Sequence, residues 1–174
     1  MNARRPIILI GLPGAGKTTA APHAAQLLNA PWCDLDERIV ASAGQSIAAI
    51  FSAHGEPHFR QLERGEMLRA LDEPPQVIAA GAGWVSQEGN LAAVAGRALV
   101  IYLSLMPAQA ATRLAGSNDR PMLPGGAPEQ RITELLAARN RWYRLADIEM
   151  DVGRSTPEDV AAGIVTAARQ YGGW

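Results

Sequence analysis

The sequence predicts an α/β protein with a three-layer α/β/α architecture, in which a five-stranded parallel sheet is covered by helices on both faces. Short apolar runs rich in β-branched residues alternate along the chain with helix-prone stretches. A glycine-rich turn joins the first apolar run to the first helix-prone stretch, which makes the strand–turn–helix unit that opens many parallel folds. The predicted strands are residues 6–10, 32–35, 76–80, 98–103 and 148–152.

Composition and charge restrict the class of protein. The 174 residues are 48% hydrophobic and 19% charged, which predicts one globular domain over residues 1–174. A net charge of −1 gives no basic field for nucleic acid or an anionic membrane, so we expect small ligands. Without a membrane-spanning apolar stretch or a signal-peptide core, we expect a cytosolic protein. A nearly neutral chain with a small-molecule site is compatible with a monomer, which is the oligomeric state we expect. A single cysteine, Cys33, excludes an internal disulfide and is expected to be a small buried hydrophobe.

The turn after the first strand, residues 11–19, fits the phosphate-binding loop, or P-loop, with Gly11, Gly16, Lys17 and Thr18 at the specified positions. Its backbone N–H groups and the following helix N-terminus would hold an anion, Lys17 would reach the outer phosphates, and Thr18 would bind magnesium. Lys17 is the only lysine among sixteen basic residues, which argues against an accidental glycine-rich turn. The candidate residues of the turn that would bind the phosphates of a nucleotide are Gly11, Gly14, Ala15, Gly16, Lys17, Thr18 and Thr19.

Two acidic residues, Asp34 and Asp36, follow at the end of the second predicted strand. Residues two apart on a strand point to the same face, so both carboxylates are expected at the carboxyl edge of the sheet, where open α/β folds bind ligands. One would hold a magnesium-bound water and the other would accept a proton. The alternative is a solvated acidic turn that opens a helix at Glu37.

A helical stretch, residues 41–71, is inserted between the second and third strands. Phe51 and Phe59, the only phenylalanines, both lie in this stretch, and Arg60 follows Phe59. Two aromatic faces and a guanidinium would hold a ring-shaped acid through its carboxylate. The alternative is that both phenylalanines are core anchors of a small helical unit.

Two later features complete the predicted fold. Residues 115–128 are rich in glycine and proline and are expected to form a lid loop. Thr156, Pro157 and Asp159 carry the signature of a capping box, which predicts a last helix that runs to about residue 170.

Taken in order, the motifs resemble those of the shikimate kinase family, from residue 7 to about residue 170. The resemblance implies a fold of the P-loop kinase type, with a helical acceptor-binding insertion at about residues 36–71 and a lid at about residues 115–128. The motifs are Gly11-x-x-Gly14-x-Gly16-Lys17-Thr18, Asp34-x-Asp36, Ile47-x-x-Ile50-Phe51, Gly55-Glu56-x-x-Phe59-Arg60-x-x-Glu63, Gly81-x-Gly83, Arg120-Pro121-x-Leu123 and Arg139-x-x-x-Tyr143.

The resemblance also implies a reaction, the ATP-dependent phosphorylation of a shikimate hydroxyl to give shikimate 3-phosphate and ADP in aromatic amino-acid biosynthesis. Asp36 would accept the proton of the attacking hydroxyl. Lys17 and the lid residue Arg120 would neutralise charge on the transferring phosphoryl group, with Mg²⁺ held on the side of Thr18 and Asp34.

Further residues are implied to bind the two substrates. Arg113 matches a residue that packs on adenine, and Arg60 and Arg139 match arginines that hold the shikimate carboxylate. Taken singly, Arg113 and Arg139 on their helices and Arg120 in its loop would more often be solvated surface residues, and it is their occurrence together and in order that favours a site. Together with the two phenylalanines, the candidate acceptor-binding residues are Asp36, Phe51, Phe59, Arg60, Gly81, Ala82, Gly83 and Arg139.

One stretch departs from the family pattern, because Ala82 replaces the middle of three glycines and Trp84 follows. A positive φ at Ala82 would cost about 1 kcal/mol, and its methyl group would enter the acceptor space. Trp32, Trp84 and Trp142 all adjoin motifs, either as core residues or as residues that reshape the acceptor pocket. These departures favour one alternative, a kinase of the same architecture for another small hydroxylated acid or polyol. A second alternative, from a different class, is a non-catalytic ligand-sensing module that keeps the fold.

Overall fold

A computed structural model describes residues 3–116 and 127–174. It has a five-stranded sheet of order β2-β3-β1-β4-β5 in which every neighbouring pair is parallel. The strands are β1 (Ile7–Ile10), β2 (Trp32–Asp34), β3 (Val77–Ala79), β4 (Leu99–Ser104) and β5 (Ile148–Asp151). The helices are α1 (Lys17–Leu28), α2 (Leu35–Ala43), α3 (Ile47–Asp72), α4 (Asn90–Val94), α5 (Pro107–Ala115), α6 (Pro128–Tyr143) and α7 (Pro157–Tyr171), with a 3₁₀ turn at Trp84–Ser86.

The main core lies around β1, the central strand, whose four residues are all buried. Such a continuous apolar run is typical of a parallel strand covered on both faces. Helix α1 packs against α7, and α5 packs against α6. The predicted three-layer α/β/α class is confirmed, and each predicted strand lies within about two residues of the observed one.

Asp34 and Asp36 do not share a strand, so the predicted same-face geometry is wrong. Strand β2 ends at Asp34, and α2 begins at Leu35. The Asp34 carboxylate is the N-cap and accepts hydrogen bonds from the backbone N–H groups of Asp36 and Glu37, at 2.9 and 3.4 Å. Aspartate is a strong N-cap residue, so a helix begins after Asp34. The strand therefore ends two residues before Asp36, which it would have had to include for both carboxylates to lie on one face.

Helices α2 and α3 enclose a second, small apolar cluster made of Ile39, Ile50 and Phe59. Phe59 is therefore a core anchor of the insertion, as the alternative interpretation had it. Phe51 is 37% exposed and contacts the Phe59 ring, with a centroid distance of 4.8 Å.

Helix α3 consists of two helical segments joined at Gly55. This residue has φ 76° and ψ 174°, a conformation that is essentially restricted to glycine. Pro57 lies in the first turn of the second segment, where a backbone N–H is not needed. The helical stretch expected at residues 41–71 thus consists of the end of α2 and two segments of α3, residues 47–54 and 56–72.

The end of the chain follows its prediction closely. Thr156 and Asp159 form the reciprocal capping box at the start of α7, which ends at Tyr171. The lid prediction falls largely on residues 117–126, which lie outside the described residues. Among the residues that are described, no helix is both long enough and apolar enough to cross a membrane.

The Gly55 hinge can be tested by unfolding. Gly55→Ala is expected to lower the free energy of unfolding by about 1–3 kcal/mol, because alanine is strained at this φ and ψ. The matched control is Gly65→Ala in the second segment, where an added Cβ meets only the Arg69 guanidinium at 3.9 Å. Gly65→Ala should raise the free energy of unfolding, measured by urea denaturation, by about 0.4–1 kcal/mol. The same change for both variants would contradict the hinge.

Candidate active site

The P-loop between β1 and α1 has the backbone geometry of an anion cradle. Gly11, Gly14 and Gly16 all have positive φ, and a Cβ at Gly11 would lie 2.6 Å from the Leu103 carbonyl oxygen. No side chain caps the first turn of α1, and no acidic residue lies in it. The N-terminal N–H groups therefore face a site suited to phosphate.

Lys17 is held in this cradle by its backbone. Its Nζ donates hydrogen bonds to the carbonyl oxygens of Gly11 and Leu12, at 2.9 and 3.1 Å, and the residue is 8% exposed. Because the side chain is buried and its ammonium is bonded to two carbonyl oxygens, the ammonium stays at the loop and does not extend into solvent. The cation is thus positioned for the outer phosphates of a nucleotide.

A cavity of about 360 Å³ extends from the P-loop towards α5 and α7. Arg113 lies on its wall, with its Nη2 donating to the Val152 carbonyl oxygen at 2.7 Å. The cavity has the P-loop at one end and residues of α5 and α7 at the other, so it could hold a nucleotide with its phosphates at the loop and its base between the two helices. The lining residues are Gly14, Ala15, Gly16, Lys17, Thr18, Thr19, Ala20, Arg113, Leu114, Ser155, Pro157 and Val160.

Thr18 and Asp34 adjoin at the other side of the loop. The Thr18 hydroxyl donates to Asp34 Oδ2 at 2.7 Å, which places two hard oxygen donors together. In the two described stretches, no group of three or more His, Cys, Asp or Glu side chains could hold a metal. Magnesium usually takes one or two protein oxygens and completes its shell with water and phosphate oxygens, so this donor pair fits it.

A second cluster, which we call the acceptor cluster, consists of Asp36, Arg60, Glu63, Arg139 and the glycine turn 81–83. Arg60 Nη1 donates to Glu63 Oε2 at 2.8 Å, and Arg139 Nη1 donates to the Ala82 carbonyl oxygen at 2.9 Å. A Cβ at position 81 would lie 2.5 Å from Glu63 Oε1 and 3.0 Å from Asp36 Oδ1. The charged side chains thus converge on one turn.

The glycines of this turn do not have positive φ, but a Cβ at either one would displace the charged end of a neighbouring side chain. A Cβ at Gly83 would lie 2.7 Å from the Arg60 guanidinium nitrogens. Asn29 is the only non-glycine residue with positive φ in the described part of the chain, so Ala82 is unstrained. Trp84 is 1% exposed and belongs to the main core, as one of the two interpretations of the tryptophans expected.

Glu63 is the residue that the sequence interpretation left without a role. Its side chain is 1% exposed, and burial raises its pKa while the hydrogen bond from Arg60 opposes that rise. Its spacing of three residues from Arg60 on a helix was the available signal. Glu56 also accepts hydrogen bonds from Arg60, at 2.8 and 3.1 Å, so the guanidinium lies between two carboxylates.

Arg120, the predicted lid arginine, lies outside the described residues together with Pro121 and Leu123. Most of the other predicted site residues fall into two groups. The donor side consists of the P-loop residues, Asp34 and Arg113, and the other group is the acceptor cluster. Phe51 and Phe59 belong to neither group: their rings contact each other at the apolar cluster of α2 and α3, and the Arg60 guanidinium lies 5.3 Å from the Phe59 ring centroid. Asp34 connects the groups, since one of its oxygens accepts from Thr18 and the other from the Asp36 N–H.

Comparison with known proteins identifies the family. The family model described as Shikimate kinase matches residues 13–169, most of the chain. The chain belongs to the shikimate kinase family. Among its shikimate kinase relatives, the protein of Caldanaerobacter subterraneus subsp. tengcongensis is 37% identical over 161 residues, which cover 92% of this chain and 94% of that protein. The relative from Stenotrophomonas maltophilia strain K279a is 39% identical over 166 residues, or 95% and 92% of the two chains.

The structural comparison agrees with this assignment. The shikimate kinase of Acinetobacter baumannii, solved in complex with shikimate, matches with a TM-score of 0.88 and 30% identity, covering 96% of this chain and 94% of that one. The predicted shikimate kinase membership, P-loop kinase fold and ATP-dependent kinase activity are therefore confirmed.

The thiol next to the donor side supplies a chemical test. Cys33 is half-buried on β2 against the main core, and burial raises its pKa to about 11. Because the folded state favours the neutral thiol, stability should fall as the pH rises from 9 towards 11. Iodoacetamide in mildly alkaline buffer should therefore modify folded Cys33 at least about tenfold more slowly than the chain unfolded in urea. Equal rates would contradict the raised pKa.

Proposed function

We propose that this member of the shikimate kinase family transfers the γ-phosphoryl group of ATP to a hydroxyl of shikimate, giving shikimate 3-phosphate and ADP for aromatic amino-acid biosynthesis. The observation that supports it most is the connection of a P-loop to a buried carboxylate–guanidinium cluster through the single residue Asp34. Family membership supports the substrate assignment. A monomeric state and a cytosolic location stay predictions.

ATP would bind on the donor side. The P-loop N–H groups would hold the phosphates, Lys17 would neutralise negative charge on the outer ones, and Arg113 would lie against the adenine. Thr18 and Asp34 would hold Mg²⁺, which supplies charge neutralisation on the phosphate oxygens when bound. Arg120 would come from the lid and contact the transferring phosphoryl group.

Shikimate would bind on the acceptor side. Arg60 and Arg139 would donate hydrogen bonds to its carboxylate, and Phe51 and Phe59 would border its ring. Asp36 and the backbone of residues 81–83 would bind its hydroxyls. Glu63 acts as a positioning residue in this arrangement, because its ion pair fixes the Arg60 guanidinium at the glycine turn.

Asp36 is the proposed proton acceptor. As the shikimate oxygen forms its bond to the γ-phosphorus, the hydroxyl proton passes to the Asp36 carboxylate. The bond from the γ-phosphorus to its bridging oxygen breaks, and that oxygen leaves as part of ADP. The protein contributes mainly positioning and charge stabilisation, as is usual in phosphoryl transfer.

The two alternative functions lose their support. Ala82 carries no backbone strain, and Trp84 is buried in the core, so neither gives a reason for another acceptor. A sensing module would be expected to lack Lys17, Asp36 or Arg120, and the sequence retains all three.

A coupled assay with ATP, Mg²⁺ and shikimate tests the proposal directly. ADP release should depend on shikimate, and the product should carry one phosphate on the acceptor. Gluconate and quinate serve as hydroxylated acids for comparison. Transfer to one of these acids with none to shikimate would overturn the proposed substrate.

Substitutions of the proposed proton acceptor, Asp36, and of the P-loop cation, Lys17, should each lower kcat for a different reason. Asp36→Asn should lower kcat by about 10²–10⁴-fold, because the amide cannot take the hydroxyl proton. Lys17→Met should lower kcat by about 10²–10³-fold through loss of charge stabilisation. The matched control is Glu37→Gln, an exposed carboxylate one residue away, which should keep kcat. Normal turnover in Asp36→Asn would exclude its proposed role.

The carboxylate clamp predicts a change in one Michaelis constant. Arg139→Ala should raise the KM for shikimate by roughly ten- to a hundredfold and leave the KM for ATP nearly unchanged, because a charged hydrogen bond is lost on the acceptor side alone. Arg141→Ala, on the same helix but stacked on Trp142, should change neither constant. Equal increases in both constants for Arg139→Ala would argue against the clamp.

A further inference from the structure

Two of the three histidines lie together on the insertion. His54 and His58 are both exposed, and their ring centroids are 4.8 Å apart with an angle of 51° between the ring planes. Neither has a part in the proposed phosphoryl transfer. Imidazole is a ligand well suited to borderline transition-metal ions such as Zn²⁺, Ni²⁺ and Cu²⁺, and both rings are accessible to such an ion from solvent.

The ring separation fits one shared ion. Zn²⁺ binds an imidazole nitrogen at about 2.0–2.1 Å, and a ring nitrogen lies about 1.1 Å from its centroid. An ion shared by two rings at a ligand angle of about 90–110° therefore puts the centroids about 4.5–5.2 Å apart. The observed 4.8 Å lies within this range.

The backbone between the two histidines makes this proximity informative. In a continuous helix, residues four apart are neighbours automatically. Here Gly55 interrupts the helix between them with φ 76° and ψ 174°, so the ring separation depends on the hinge. The Phe51–Phe59 pair spans the same hinge at 4.8 Å. An ion bound to both imidazoles would hold the two helical segments in this arrangement.

We propose that His54 and His58 bind one borderline transition-metal ion, with water completing its shell, and that the ion fixes the Gly55 hinge. The nearby Glu56 carboxylate accepts two hydrogen bonds from Arg60, so the site consists of the two imidazoles. This agrees with the described stretches holding no group of three or more metal-binding side chains. The site is separate from the Mg²⁺ site, since hard cations select oxygen ligands.

Calorimetry on a tag-free chain tests the site, with Zn²⁺ alone and without nucleotide or Mg²⁺. One ion should bind per chain, and His54→Asn or His58→Asn should each weaken binding by about tenfold or more, because one of two protein ligands is lost. The control is His23→Asn on α1, which should retain the wild-type affinity. Cu²⁺ should show two imidazole nitrogens in its electron paramagnetic resonance spectrum. Unchanged Zn²⁺ affinity in the His54→Asn/His58→Asn double variant would overturn the site.

Hydrogen exchange tests the hinge. Zn²⁺ should slow exchange of the backbone amides on both sides of Gly55 in the wild-type chain and leave them unchanged in His58→Asn. Because this measurement does not involve turnover, its outcome is independent of the proposed kinase reaction. Zn²⁺ binding without slower exchange at the hinge would overturn the coupling of the ion to the two segments.

Discussion

The carboxylate of Asp34 is the constraint on which the site depends. One oxygen accepts a hydrogen bond from Thr18 at the P-loop, and the other accepts from the Asp36 N–H and caps α2. The position of the proposed proton acceptor is therefore tied to the phosphate loop through one side chain. Strand β2 ends and α2 begins at this residue, so one side chain combines a local capping hydrogen bond with a contact to the P-loop sixteen residues earlier in the chain.

Ion pairs between α2 and α3 hold the rest of the acceptor side. Arg38 binds Glu73 with two hydrogen bonds, of 2.6 and 2.9 Å, and also lies 3.4 Å from Glu66. Glu66 is only 4% exposed. Burying a charge is costly, and Arg38 gives the buried Glu66 carboxylate a partner of opposite charge. These pairs join α2, the helix that carries Asp36, to the last turns of α3.

Much of the fold follows from local signals in the sequence. Consecutive buried apolar residues identify the strands, and capping residues identify the start of α7. The P-loop was predictable because glycine and lysine have few other roles at that spacing. The position of Asp36 was not predictable, because the sequence around Asp34 is compatible both with a continuing strand and with the N-cap of a helix. The role of Glu63 escaped prediction because it comes from a contact between α3 and a turn about twenty residues later in the chain.

The solitary lysine also makes the P-loop accessible to spectroscopy. Lys17 is the only lysine in the sequence, and its ammonium contacts the Gly11 and Leu12 carbonyl oxygens. Isotopic labelling of lysine alone would therefore introduce a single side-chain ammonium signal, located where the phosphates of a nucleotide would lie. Occupancy of the nucleotide cavity could then be followed by nuclear magnetic resonance through one resonance, without introducing a substitution or an extrinsic probe.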